Sequence, residues 1–303
     1  MTKLHGVSAA LLCAGALATP ALGQELNFQG SFSYGGFDRY VPPVTHPTLN
    51  ETPFITTEVK PIFLYHSIPS GFVTDGGRVI AGAVQARLAL TERFGIIATT
   101  DGYADIDFEE VLPDADGFLD LAAGVKYAII NNPAEGNIVS VGIRYTAPVG
   151  NIDTAGIDLT GSTSGQLDTF ISGAKLYESG TQVQGSVGFQ WGISDRSWSF
   201  IHAHAHIDHE VFEGFFPLVE ANLIAPVDGG NRIEGASLTG ADVFDIGASD
   251  PTAIMTLGIG ARYNPLENVS LGAAIEGNVL DIGNDTADSV FGWRVTTDVT
   301  IRF

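Results

Sequence analysis

Cysteine is all but missing from this chain of 303 residues, where Cys13 is the single example. It lies within an apolar run, Val7 to Ala18, that follows Lys3 and His5 and leads to Pro20, Ala21 and Gly23. This reads as a secretory signal peptide over residues 1–23, cut before Gln24, and its run is too short to span a bilayer. Leu12 stands before Cys13 where a lipid-attachment signal needs a small residue, which excludes lipidation there. The mature chain then carries no cysteine, and disulfides, thiolate metal sites and a cysteine nucleophile are excluded together. Long apolar runs are missing too, since no later stretch reaches the ~18 residues of a transmembrane helix. Positive charge is scarce: 14 Lys and Arg stand against 35 Asp and Glu, for a net charge of −21. That balance argues against a nucleic-acid partner, because phosphate binding needs clustered cations.

What the chain has instead is a period of two. From Ser289 to Phe303, the residues Ser289, Phe291, Trp293, Val295, Thr297, Val299, Ile301 and Phe303 fall on one face of an extended strand. Arg294, Thr296, Asp298, Thr300 and Arg302 fall on the other. One face suits lipid and the other water, and the aromatic end at Phe303 marks the closing strand of an outer-membrane barrel. Phe303 is thus the candidate assembly signal, read by the barrel assembly machinery.

Similar segments recur at roughly 55–68, 78–91, 94–104, 118–130, 138–147, 167–177, 182–193, 198–208, 215–225, 252–263, 269–279 and 289–303. Each is near the ~9–11 residues of a tilted membrane strand. The expected fold is all-β: a single transmembrane antiparallel β-barrel of about twelve strands over residues 55–303, in the outer membrane of a double-membraned bacterium. Residues 24–54, broken by Pro42, Pro43, Pro47 and Pro53, form either a periplasmic lead-in or a plug. Short connections at 91–93, 131–136, 179–180 and 265–268 fall on the periplasmic side, and long ones at 105–117, 148–166, 226–251 and 280–288 fall outside. The connection at 194–197 strains that pattern, being short yet outer.

The register turns Tyr127, Val141, Ile143, Trp191, Leu257 and Ile259 toward lipid. It turns Glu58, Lys60, Arg87, Asp101, Asp120, Lys126, Arg144, Lys175, Glu220, Arg262, Glu276, Arg294 and Asp298 toward the lumen. Lipid is no place for them, since a charge at the bilayer midplane costs about 2–4 kcal/mol. Acids also gather in two outer loops, Asp105, Asp107, Glu109, Glu110, Asp114 and Asp116 in one, Asp281, Asp285 and Asp288 in the other. They form either a cation-attracting vestibule or a rim that bridges lipid headgroups through divalent ions.

His202, His204, His206 and Asp208 are spaced by two and share a strand face, ~6.5–7 Å apart. Three readings stay open: a metal site for Zn²⁺ or Cu²⁺ aided by Glu220, a pH-sensitive ladder, or a stack of neutral imidazoles. No cofactor is expected. No His-x-Ser occurs in the chain, so the hydrolase arrangement known from some twelve-stranded barrels is absent and no enzyme is expected.

Several stretches resemble bacterial outer-membrane transporters of the phenol meta-pathway type. They are Ile55-Thr-Thr-Glu-Val-Lys-Pro-Ile62, Leu90 to Tyr103, Gly117 to Tyr127, Phe216-Pro-Leu-Val-Glu-Ala-Asn222 and Gly260-Ala-Arg-Tyr-Asn-Pro265. The resemblance implies a barrel of about a dozen strands that passes small hydrophobic molecules across the outer membrane. Its matched lumen residues are Glu58, Lys60, Asp101, Asp120, Lys126 and Glu220, and the histidine ladder lies outside its pattern. The expected function is passive passage of small, hydrophobic or aromatic molecules or of cations, with membrane lipid as the surrounding partner. The alternative is a structural or interaction barrel with a filled lumen.

Overall fold

The computed structural model describes residues 37, 39–161, 164–235, 237–282 and 288–303. The signal-peptide reading and Asp285 lie outside them. Twelve staves alternate up and down: β1 (Glu58–Ile68), β2 (Gly77–Ala89), β3 (Phe94–Thr100 continued by Tyr103–Phe108), β4 (Ala115–Phe118 continued by Leu121–Asn132), β5 (Asn137–Ala147) and β6 (Gln166–Leu176). Then follow β7 (Thr181–Gly192), β8 (Ser199–His209), β9 (Phe215–Asp228), β10 (Ala253–Leu266), β11 (Val269–Ile282) and β12 (Trp293–Arg302). Each pairs antiparallel with its sequence neighbours, and β1 pairs with both β2 and β12, so the sheet closes.

Closure follows from the two-faced strands. Along β12 the inward residues Arg294, Thr296, Asp298, Thr300 and Arg302 are buried, while Trp293 is exposed. Around the outside, Phe63, Tyr127, Ile143, Val187, Trp191, Leu257 and Ile259 are exposed. An apolar belt of this kind suits lipid, and closure leaves no open edge whose unpaired amides would meet it. No described helix is long and apolar enough to cross a membrane, so the crossing elements are the strands.

The expected segments all form, with shifted ends. The first strand starts at Glu58, not residue 55, because Phe54 and Ile55 are wholly buried inside the barrel. The last starts at Trp293, not residue 289: Val290 and Phe291, expected on an extended strand, turn inward and bury, with Phe291 edge-on to His66 at 4.8 Å. The long outer connection expected at 105–117 shortens to residues 109–114, since Tyr103–Phe108 and Ala115–Phe118 continue β3 and β4 and pair with each other. Residues 194–197 do form a short outer turn, closed by the Ser197 amide on the Ser194 carbonyl at 3.1 Å.

Two phase changes matter for the lumen. In β3 the inward set moves from Ile97 and Thr99 to Ala104 and Ile106, across Asp101 and Gly102. Gly102 has φ +125°, a conformation that favours glycine, and Asp101 accepts the Val84 amide at 2.9 Å. In β4 the change falls at Leu119 and Asp120, between its two halves.

Candidate functional site

Inside the barrel runs a second layer of chain. Tyr40, Val41, Val44, Thr45, His46, Leu49, Asn50, Glu51, Thr52, Phe54, Ile55 and Thr56 are all buried against the inner wall. Residues 39–56 enter no strand ladder and are held by side chains of the wall. Their prolines suit that place. Pro42, Pro43, Pro47 and Pro53 bring no amide hydrogens that would need acceptors, and their carbonyls take donors from the wall. Lys60 and Arg262 both reach the Pro43 carbonyl at 2.9 Å, and Arg262 also donates to that of Pro42. Gln85 donates to Pro47 at 2.6 Å and Ser140 to Pro53 at 2.5 Å.

Charge explains why the wall needs this filling. Among the described residues the wall buries seven Lys and Arg, namely Lys60, Arg87, Lys126, Arg144, Arg262, Arg294 and Arg302, but six carboxylates: Glu58, Asp168, Asp208, Glu220, Glu276 and Asp298. An unpaired buried charge is costly, so further carboxylates must come from elsewhere. Glu51, the one acid between residues 39 and 57, pairs with Arg87 at 2.7 Å and with Lys126 at 2.8 Å. Burial pushes the Glu51 carboxyl up, but Arg87 and Lys126 outweigh it and hold the group well below the usual range. Glu220 works in the opposite direction, as a wall carboxylate that accepts the Val44 amide at 2.9 Å and the Thr45 amide at 2.6 Å.

The seam between β1 and β12 is ionic. Arg302 lies 3.6 Å from Glu58, Lys60 lies 3.5 Å from Asp298, and Arg262 grips Asp298 through two contacts of 2.7 Å. At the outer end, the β9–β10 connection folds into the mouth and buries Ala241, Phe244 and Ile246. Its Asp242 takes both ends of the Arg294 guanidinium, at 2.7 and 2.9 Å, and stands 3.3 Å from His46. Loop and segment therefore meet at His46, which also stands 3.3 Å from Glu276.

His46 sets a pH dependence. Burial opposes its charge, but Asp242 and Glu276 outweigh burial and the opposing Arg294, raising its proton affinity above that of an ordinary imidazole. Stability from a group raised in this way is fully present below its unfolded pKa, ~6.5, and is lost as pH rises through the higher folded value. Raising the pH from about 6 to about 9 is therefore expected to lower the thermal midpoint by a few degrees. A His46→Gln variant should show a flatter profile over that window; an unchanged slope would count against this role.

The histidine ladder is wholly internal. His202 bonds Asp168 at 3.0 Å and His204 at 3.1 Å, and His204 bonds Asn222 at 2.8 Å. His206 lies between Glu220 at 2.6 Å and Asp208 at 2.8 Å. Every ring nitrogen of the three has a protein partner. Among the described residues no group of three or more His, Cys, Asp or Glu is placed to hold a metal ion. The chain of contacts continues from Asn222 to Thr45 at 3.0 Å and from Thr45 to Glu220 at 2.5 Å, so the ladder binds the inner segment into the wall.

Glu58, Lys60, Arg87, Lys126, Arg144, Glu220, Arg262, Glu276, Arg294 and Asp298 thus meet in one interior network. Asp101, Asp120 and Lys175 do not join it. Asp101 serves the β3 bulge, and Asp120 accepts the Gly150 and Gly161 amides at 2.8 and 2.9 Å, tying down the β5–β6 connection. Lys175 alternates with the buried Ala174 and donates to the Glu135 carbonyl at the inner rim. Asp105, Asp107 and Asp116 alternate with buried Ala104, Ile106, Ala115 and Gly117, so they face outward on the rim and line no vestibule over the lumen. Sequence reasoning passed over Asp168, Glu51, His46 and Asp242. Asp168 was within reach, since the register sets it directly across from Arg144.

No protein-family model and no curated protein matches the sequence of this chain. Solved structures do match its fold. The crystal structure of the COG4313 outer membrane channel from Pseudomonas putida F1 is 13% identical, with a TM-score of 0.58, over 87% of this chain and 100% of that one. The NanC porin is 7% identical with a TM-score of 0.48, over 81% and 98% of the two chains. The KdgM porin in complex with disordered oligogalacturonate is 9% identical with a TM-score of 0.43, over 80% and 99%. At these identities the likeness concerns the fold.

Proposed function

We propose that this chain is a passive channel of the bacterial outer membrane, closed at rest by its own amino-terminal segment and by the infolded β9–β10 connection. One observation carries the reading: the lumen is filled by separate pieces of chain, held through side chains and isolated carbonyls and by none of the ladder bonding that makes the wall permanent. A twelve-strand barrel is wider than the ~8-strand size that side chains alone fill, so filling it takes an added segment, and removing that segment opens a path.

A path of this kind is lined by the wall cations and carboxylates, which suits small water-miscible molecules and ions. The resemblance of Leu90 to Tyr103 and the other stretches to phenol-pathway outer-membrane proteins makes small aromatic molecules such as phenol the first cargo to test. The exposed Phe303, joined to the Thr57 carbonyl at 3.0 Å, fits recognition by the assembly machinery.

The second reading is a structural barrel whose filling is permanent. The pairing of Glu51 with two buried cations favours it. Planar bilayers separate the two: refolded mature protein is expected to give rare, brief conductance steps, and protein lacking residues 24–54 frequent, larger ones. A folded barrel that stays silent in both forms removes the channel reading. Liposomes carrying the shortened protein should take up phenol faster than empty vesicles.

A further inference from the structure

Above the lumen, among the described residues, the outer connections pack into a small apolar core with a pocket in its side. A cavity of about 220 Å³ lies among Phe72 of the β1–β2 connection, Phe108 at the end of β3, Leu112, Ile157 of the β5–β6 connection, Phe244 of the β9–β10 connection and Val290 before β12. Among the described residues every lining side chain is Phe, Val, Leu or Ile.

A pocket of this kind calls for an explanation. Apolar surface facing water is costly and gains by being covered. Water holds poorly there, because an ordered water needs two or more polar partners and this lining has none. Apolar cavities of about 150 Å³ in other proteins stay dry and take up benzene or xenon. This one is larger, and it lies where an outside molecule can reach it. Val73 and Val111 on its rim are 46% and 72% exposed. Val111 has φ +71°, a conformation rare for a β-branched residue, in a turn held by the Glu110 amide on the Thr74 carbonyl at 2.9 Å.

We propose that this cavity is a binding site for a compact, uncharged hydrophobic molecule of one or two rings, such as toluene or naphthalene. A carboxylate or an ammonium group would lose its water here and find no partner, so charged analogues are rejected. The inference goes beyond the channel reading, since occupancy needs no conduction. It also reaches the lock. Val290 accepts His66 at 2.8 Å, and the next ring, Phe291, stacks on His46 at 5.5 Å. A ligand seated on Val290 therefore borders the segment that fills the barrel.

Toluene titration by calorimetry tests the proposal, using the mature protein and a Leu112→Trp variant in identical micelles so that partition into detergent cancels. Saturable one-to-one binding is expected in the wild type, at least tenfold weaker in the variant, with benzoate giving no heat beyond micelle controls. Equal heats from two folded proteins, or benzoate binding as well as toluene, would overturn it. Should the variant not fold, wild-type crystals under xenon decide: a xenon peak between Phe108 and Phe244 supports the site, and its absence refutes it. A barrel that never conducts yet binds toluene would sink the channel reading and leave this one standing.

Discussion

Replacing Glu51 by alanine is expected to unlatch the segment that fills the barrel. Its carboxylate meets Arg87 and Lys126 at 2.7 and 2.8 Å, with all three side chains almost wholly buried. Removing one partner of a buried pair costs about 3–5 kcal/mol, because the remaining charge keeps its desolvation penalty without compensation. Two cations are stranded here, although Arg87 keeps Glu58 at 3.3 Å. Release of the segment lets water reach both cations, so the loss appears as a shift toward the open form. At about 1.4 kcal/mol per tenfold, the open population should rise roughly 100-fold or more. Bilayer recordings should show this as a matching rise in open probability, with step size unchanged. A Glu51→Ala barrel that folds, keeps its wild-type thermal midpoint and stays closed would refute the latch.

Replacing Asp242 by alanine is expected to free the other end. Asp242 belongs to a loop, yet its carboxylate is 2% exposed and holds Arg294 through two contacts, with His46 beside it. Burial pushes this carboxyl up, but Arg294 and His46 prevail and keep it well below the usual range. A carboxyl depressed in this way stabilises the fold above its unfolded pKa, ~3.9, and loses that contribution only as pH falls through the lower folded value. The contact with Arg294 therefore holds through neutral and mildly acid pH.

The expected loss on substitution is about 3 kcal/mol, the lower end for a buried pair, since Glu276 stays 3.5 Å from Arg294. A cysteine introduced at Thr48, in a mature chain read as cysteine-free, reports the effect. Its maleimide labelling should quicken about 100-fold with the Asp242→Ala change. Glu51 and Asp242 share no direct ion-pair partner, so their effects should add to within about 0.5 kcal/mol. Unchanged labelling, or strong non-additivity, would mean that loop and segment are not the separate closures described.

The strands were readable because lipid and lumen impose opposite demands on successive residues, and that contrast is written locally. Arg294, Asp298 and Arg302 alternate with Val295, Val299 and Ile301, and no distant contact is needed to see which side each takes. Bulges mark where this reading runs out. One register carried across Asp101 and Asp120 places both in the lumen, but the chain changes phase there: the Val84 amide claims the first and two loop amides claim the second.

The sequence by itself determined a closed twelve-strand barrel, its lipid face and the charged wall inside, because each depends on neighbours two residues apart or on the length of a connection. Only the tertiary structure decided what the wall encloses. Glu51 finds Arg87 and Lys126 at separations of 36 and 75 residues, and Asp242 finds Arg294 across 52. No period links such partners. Closure alone brings the wall cations around one axis, and once they face an interior too wide for their own carboxylates to neutralise, the proline-rich segment and the outer loop supply the missing charge.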